Sequence, residues 1–135
     1  MHAGKLLFAQ LMDHVPLHTF RRCVAKLPCR YPTLSVSHLD QFLRMAFAQL
    51  THRESLRDIE TCLRANSTKL YHSGIRGGFA RNTLADANEK RDWRIFSDFA
   101  HVLIAEASAL YAGEPFGVEL KQAAYALDST TIDLC

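Results

Sequence analysis

Apolar residues recur at intervals of three and four along most of the chain, which predicts a succession of helices. The first spans Lys5–Asp13, with Leu7, Phe8 and Leu11 on one side. Pro16 suits the first turn of a second helix that runs to Leu27 and carries Phe20, Cys23, Val24 and Leu27 as its stripe. Pro28 and Pro32 bracket a loop, and Ser37 is a good N-cap for a helix from His38 to Leu50 whose apolar positions place it at the centre of the core. Thr51-His52-Arg53-Glu54 has the spacing of a capping box and predicts a helix over Arg53–Arg64 with Leu56, Ile59 and Leu63 inward. The glycine-rich stretch Gly74-Ile75-Arg76-Gly77-Gly78 predicts an exposed loop. Thr83-Leu84-Ala85-Asp86 repeats the capping spacing at the start of a short helix. Asp92 is placed to cap the last and longest helix, Trp93 to Leu110, in which Phe96, Phe99, Ala100, Leu103, Ala107 and Leu110 form one continuous stripe.

After Gly117 the pattern changes. Ala123–Leu127 is apolar at consecutive positions and leads into Asp128-Ser129-Thr130-Thr131-Ile132, which reads as a buried strand, although three alanines also tolerate a helix or a packed tail. The resulting expectation is a mainly α fold: a helical bundle over 1–112, then a linker and one strand over 113–135.

With 135 residues, 48% hydrophobic and 22% charged, the chain suits one globular domain and not a disordered or collagen-like one. It contains no apolar run of bilayer length, and its amino terminus lacks the form of a secretory signal, so a cytoplasmic location is expected. The net charge of +2 divides unevenly: residues 15–94 carry +7 and residues 95–135 carry −5. A basic middle rich in Arg points to a polyanionic partner, although solubility alone also selects surplus surface charge. The four cysteines show no Cys-x-x-Cys spacing, and His14 and His18 are separated by Pro16 with no third ligand nearby, which argues against a metal site there.

Two groups of residues carry candidate chemistry. The helix at Arg53–Arg64, the glycine loop and the helix beginning near Thr83 have the rhythm of a helix-turn-helix with an enlarged turn. Arg53, Arg76, Arg81, Asn82, Thr83, Asn88, Lys90, Arg91 and Arg94 supply groups that neutralise phosphates or pair with base edges. Asp86, Glu89 and Asp92 among them fit equally a solvated, charge-balanced surface. The second candidate is Asp128, a carboxylate at the end of an apolar strand, where oxygen ligands suit magnesium or manganese. One carboxylate does not make a two-metal site, and Asp133 falls on the opposite strand face.

Four blocks, Gly4–Leu11, Gln49–Ile59, Arg81–Arg91 and Ala126–Ile132, resemble in order the amino-terminal third of bacterial insertion-sequence transposases of the family numbered four. The resemblance implies a helical domain that engages double-stranded DNA at transposon ends, followed by a ribonuclease-H-like domain whose DDE triad holds Mg2+ or Mn2+. Asp128, in the context Leu127-Asp128-Ser129-Thr130, matches the first triad position, as both catalytic and metal-binding residue. The second Asp and the Glu are absent here, so the chain by itself is expected to be truncated and catalytically incomplete, with a second copy or a full-length transposase as further partners and no membrane. A stand-alone helix-turn-helix regulator or inhibitor of transposition is the alternative, separable by operator-like binding without catalysis. A third class is an interaction module that pairs through the exposed part of the last helix and would oligomerise regardless of DNA.

Overall fold

A computed structural model describes residues 7–27, 36–75 and 80–113. All regular structure among them is helical: α1 (Leu7–Asp13), α2 (Leu17–Lys26), α3 (His38–Leu50), α4 (Leu56–Ala65), α5 (Ser67–Leu70), a 3-10 turn at Tyr71–Ser73, α6 (Arg81–Lys90) and α7 (Arg94–Tyr111). The expected mainly helical fold is observed. The predicted strand, with Asp128 and Asp133, lies outside the described residues, as does the loop bracketed by Pro28 and Pro32.

α3 is the axis of the molecule. Its start is fixed by Ser37, whose hydroxyl accepts the Asp40 amide at 3.0 Å while the Asp40 carboxylate accepts the Ser37 amide at 3.0 Å. Two apolar clusters meet along this helix. One gathers Phe8, Leu43, Phe47, Ile59, Leu63, Leu70 and Leu84 from α1, α3, α4, α5 and α6. The other joins Phe20 and Cys23 of α2 to Ile95 and Phe99 of α7. Leu39 and Phe42 of α3 pack against both clusters. In the second cluster Phe20 meets Phe99 edge-on, with ring centroids 5.1 Å apart, and Phe42 meets Phe99 edge-on at 5.4 Å. Such edge-to-face packing adds about 0.5–1.5 kcal/mol per pair beyond the burial itself.

Several local expectations need correction. Leu7 and Leu11 of α1 are exposed, and Phe8 and Ala9 turn inward with Met12 partly buried behind them, because the helix lies on the 3-10 turn and on Phe47 of α3 through a narrower edge than its apolar content implies. Thr51 does not cap α4. It ends α3, where its hydroxyl donates to the Phe47 carbonyl at 2.7 Å. His52 adopts a left-handed φ of 53°, its amide donates to the Gln49 carbonyl, and the Arg53 amide reaches back to the Ala48 carbonyl at 2.9 Å. This is a Schellman closure, which satisfies the last carbonyls of α3 and consumes the residues that a capping box would need. α4 starts three residues beyond the predicted position, with Ser55 as N-cap accepting the Asp58 amide at 3.2 Å.

Thr83 likewise sits inside the first turn of α6, which begins at Arg81 after Ala80, and Asp86 is used instead in an i,i+4 pair with Lys90 at 3.5 Å. Gly74 has φ 84° and closes the 3-10 turn, a conformation that costs little without a Cβ. Ile75 then enters the core at 7% exposure, so this part of the glycine stretch is not the exposed loop that its composition predicts.

Of the expected stripe of α7, Phe99 is buried, Phe96 and Leu103 are half-buried and Ala100 is exposed, while Ile95, outside the stripe, is buried. Beyond Leu103, Ile104, Leu110 and Tyr111 are 60%, 79% and 65% exposed, and Ala107 is exposed as well. The reason is length. α2, the helix that covers α7, has ten residues against eighteen, about 15 Å against about 27 Å, so α7 outruns its partner.

Candidate nucleic-acid interface

α6 packs on α4 and on α3 through a thin apolar edge in which Leu84 is fully buried and Ala87 nearly so. The rest of the helix faces outward: Arg81, Asn82, Asp86, Asn88, Glu89 and Lys90 are exposed, and Thr83 is half-buried. Arg81 and Asn82 occupy the exposed first turn. Arg53 is exposed in the connection ahead of α4, its backbone held by the Schellman closure. Arg76 lies outside the described residues.

The carboxyl end of α6 is engaged internally. The Arg91 guanidinium crosses to the start of α3, where it donates to the Val36 carbonyl, to the Ser37 carbonyl at 2.9 Å and to Gln41 Oε1 at 2.8 Å. Gln41, itself buried, donates from Nε2 to Asn88 Oδ1 at 2.7 Å. Arg91 and Asn88 are therefore structural ties between α3 and α6. Gln41 was not among the candidates, although a Gln beside Phe42 and Leu43 on the helix expected at the centre of the core is the kind of residue that needs a buried partner.

Arg94 is exposed and forks onto Asp92, Nη2 to Oδ2 at 2.5 Å, while the Arg94 amide donates to Asp92 Oδ1 at 3.0 Å. That arrangement holds the Asp92 carboxyl down at about 2 and raises the Arg94 guanidinium above its ordinary value. The expected capping role of Asp92 is thus partly met: its carboxylate accepts one free amide at the start of α7. Arg44 of α3 is buried at 2% exposure, its pKa lowered by burial and partly restored by the Asp40 carboxylate one turn earlier. Both Arg44 and Arg91 belong to the basic middle of the chain, so its +7 overstates the charge that reaches the surface.

Among the described residues, Arg53, Arg57, Arg64 and Lys69 are exposed on or beside α4 and α5, Arg81 and Lys90 at the two ends of α6, and Arg94 at the start of α7. A further set, which was not singled out from the sequence, lies on α2: Arg21, Arg22 and Lys26 are all exposed on a helix with no acidic residue. The signal for it was legible as an acid-free run within the basic segment. Between α3 and the start of α7 lies a mostly apolar groove of about 430 Å³ bordered by Phe42, Met45, Trp93 and Phe96, with Trp93 71% exposed at its rim.

Among the described residues no three His, Cys, Asp or Glu side chains gather as a metal site. Asp128, the ligand position that the resemblance implies, lies outside the described residues. No described helix is long and apolar enough to cross a membrane.

No curated protein matches the chain, and no solved structure matches it. Residues 3–76 match the model of a family described as a domain of unknown function, DUF4372. That span covers α1 to α5 and more than half of the 135 residues, and the chain belongs to this family.

Proposed function

We propose that the helical region binds double-stranded DNA as the end-recognition part of an insertion-sequence transposase, with α4 and α6 acting as a helix-turn-helix-like pair. The observation that carries this reading is the exposed first turn of α6. Helix-turn-helix proteins address base edges from the amino-terminal residues of their second helix. Arg81 and Asn82 stand at that position, exposed, on a helix anchored from behind by Leu84 and Ala87. Arg suits guanine and Asn suits adenine through paired hydrogen bonds, and the backbone amides of the first turn suit a phosphate. Arg53, exposed ahead of α4, and Lys90, exposed at the far end of α6 about 14 Å along its axis, supply further cations for phosphate contact.

The resemblance of four ordered blocks to insertion-sequence transposases supports the same reading, with Asp128 as the first carboxylate of a DDE triad and strand transfer dependent on the other two. The test is a fluorescence anisotropy titration of duplexes that carry the ends of the parent element, at several salt concentrations. Binding should weaken steeply with salt, and Arg81→Ala with Asn82→Ala should cost roughly tenfold or more and relax sequence preference. Unchanged affinity and preference in that double variant would remove α6 as the reading surface.

A further inference from the structure

We infer that the outer edge of α2, with the notch between α2 and α7, is a second duplex contact that grips backbone phosphates without reading sequence. The inference rests on the DNA-binding reading above and adds a surface that the α4–α6 pair does not include.

Its basis is charge, spacing and shape. His18, Arg22 and Lys26 stand at i, i+4 and i+8 and form a row along one edge of α2, about 12 Å from end to end. Each step is about 6 Å, close to the roughly 6.8 Å of axial rise over two nucleotide steps on one strand of a duplex. Arg21 extends the same exposed surface, and no Asp or Glu lies on the helix.

Beside the row, α2 and α7 part to leave a notch of about 250 Å³ bordered by Arg22, Lys26, Asp98 and His101. The one carboxylate there, Asp98, meets Lys26 at 3.7 Å with both side chains largely exposed. An ion pair of this kind is worth little, so a phosphate displaces it at small cost. The floor is rigid: Phe20 and Cys23 on the reverse of α2 are packed against Phe99 and Ile95. With the helix backbone fixed, only the exposed side chains of the row have to be ordered when it meets a polyanion.

The experiment measures duplex affinity and its salt dependence for the full chain and for three variants: Arg22→Ala/Lys26→Ala, Asp98→Asn and Arg81→Ala/Asn82→Ala. The α2 double variant should lose affinity on the order of tenfold, equally for end-derived and unrelated duplexes, and its salt slope should fall by about 2. Asp98→Asn should tighten binding about two- to threefold by removing a competing carboxylate. Because that change is a gain, it cannot arise from misfolding. If the wild-type chain binds, the α6 variant weakens and the α2 variant keeps its affinity and slope, this inference fails while the DNA-binding reading stands. Absence of any duplex binding by the wild-type chain at low salt overturns both. Amide shifts of α2 caused by inorganic phosphate but not by duplex would assign the notch to a small free anion and also overturn the inference.

Discussion

Arg91 donates from Nη1 to Gln41 Oε1 at 2.8 Å across 50 residues of sequence, and this bond joins the end of α6 to the first turns of α3. The same guanidinium holds the carbonyls of Val36 and Ser37, so three acceptors depend on one side chain. Hydrogen bonds from a charged donor are worth about 1.5–3 kcal/mol each to remove when the acceptors are partly buried. Because these acceptors are only partly buried, water replaces much of what the guanidinium supplies, and Arg91→Ala should cost about 2–3 kcal/mol in urea denaturation. Arg91→Lys should recover less than half of that, because an ammonium cannot reproduce the planar fork. A loss under about 0.5 kcal/mol, the range of ordinary surface changes, would mean that the tie is not formed in solution.

His38, at the first turn of α3, gives the fold a pH dependence. Its pKa is lowered, first by burial and then by the positive charge of Arg91. The neutral ring is thus favoured in the folded state, while the unfolded chain takes up the proton near the ordinary value of about 6.5. Its contribution is fully present above that value and is lost as pH falls from there toward the lowered folded value. Urea midpoints at pH 7.5 and 5.5 should differ more for the wild type than for His38→Gln; equal differences would remove His38 from the account.

The junction between α3 and α4 separates two possible capping schemes by mutation. Ser55→Ala should cost about 1 kcal/mol and Glu54→Ala under about 0.5 kcal/mol, the reverse of what the Thr51-x-x-Glu54 spacing implies. His52→Gly should stabilise by about 0.5–1 kcal/mol, since a left-handed residue with a Cβ is penalised where glycine is not. Thermal melts of the three variants measure all of these, and a destabilised His52→Gly would count against the Schellman closure.

α7 divides energetically at Leu103. Phe99→Ala should cost about 3–5 kcal/mol, because Phe99 is 1% exposed and meets two other rings edge-on. Leu110→Ala, at 79% exposure, should stay within about 0.5 kcal/mol in the monomer. A large loss at Leu110 that depends on protein concentration would instead reveal that the overhang of α7 is covered by another chain.

Periodicity located the helices because each has one apolar edge, and it located α3 at the centre because six apolar residues recur along it. It misjudged ends and faces where a residue has two competing uses. Thr51 can cap a following helix or close a preceding one, and only the His52 conformation decides between them. Leu110 continues the stripe of α7 in sequence, but whether it is covered depends on how far α2 reaches, which no local pattern contains. The candidate site shows the same division. Arg81 and Asn82 stand exposed where helix-turn-helix logic puts them. Arg91 and Asn88 have equally suitable chemistry but turn toward Gln41, a choice set by a partner about 50 residues away.

The sharing of α3 between two clusters has a consequence for where this domain can be cut. A chain ended at residue 76 would keep the whole DUF4372 match, yet it would lack Leu84 from one cluster and Ile95 and Phe99 from the other. The first cluster would lose one member, while the second would keep only Phe20 and Cys23, with Phe20 and Phe42 stripped of their edge-on neighbour. The stretch that matches the family is thus shorter than the stretch that builds the core, and expression of the former alone should yield an aggregation-prone fragment.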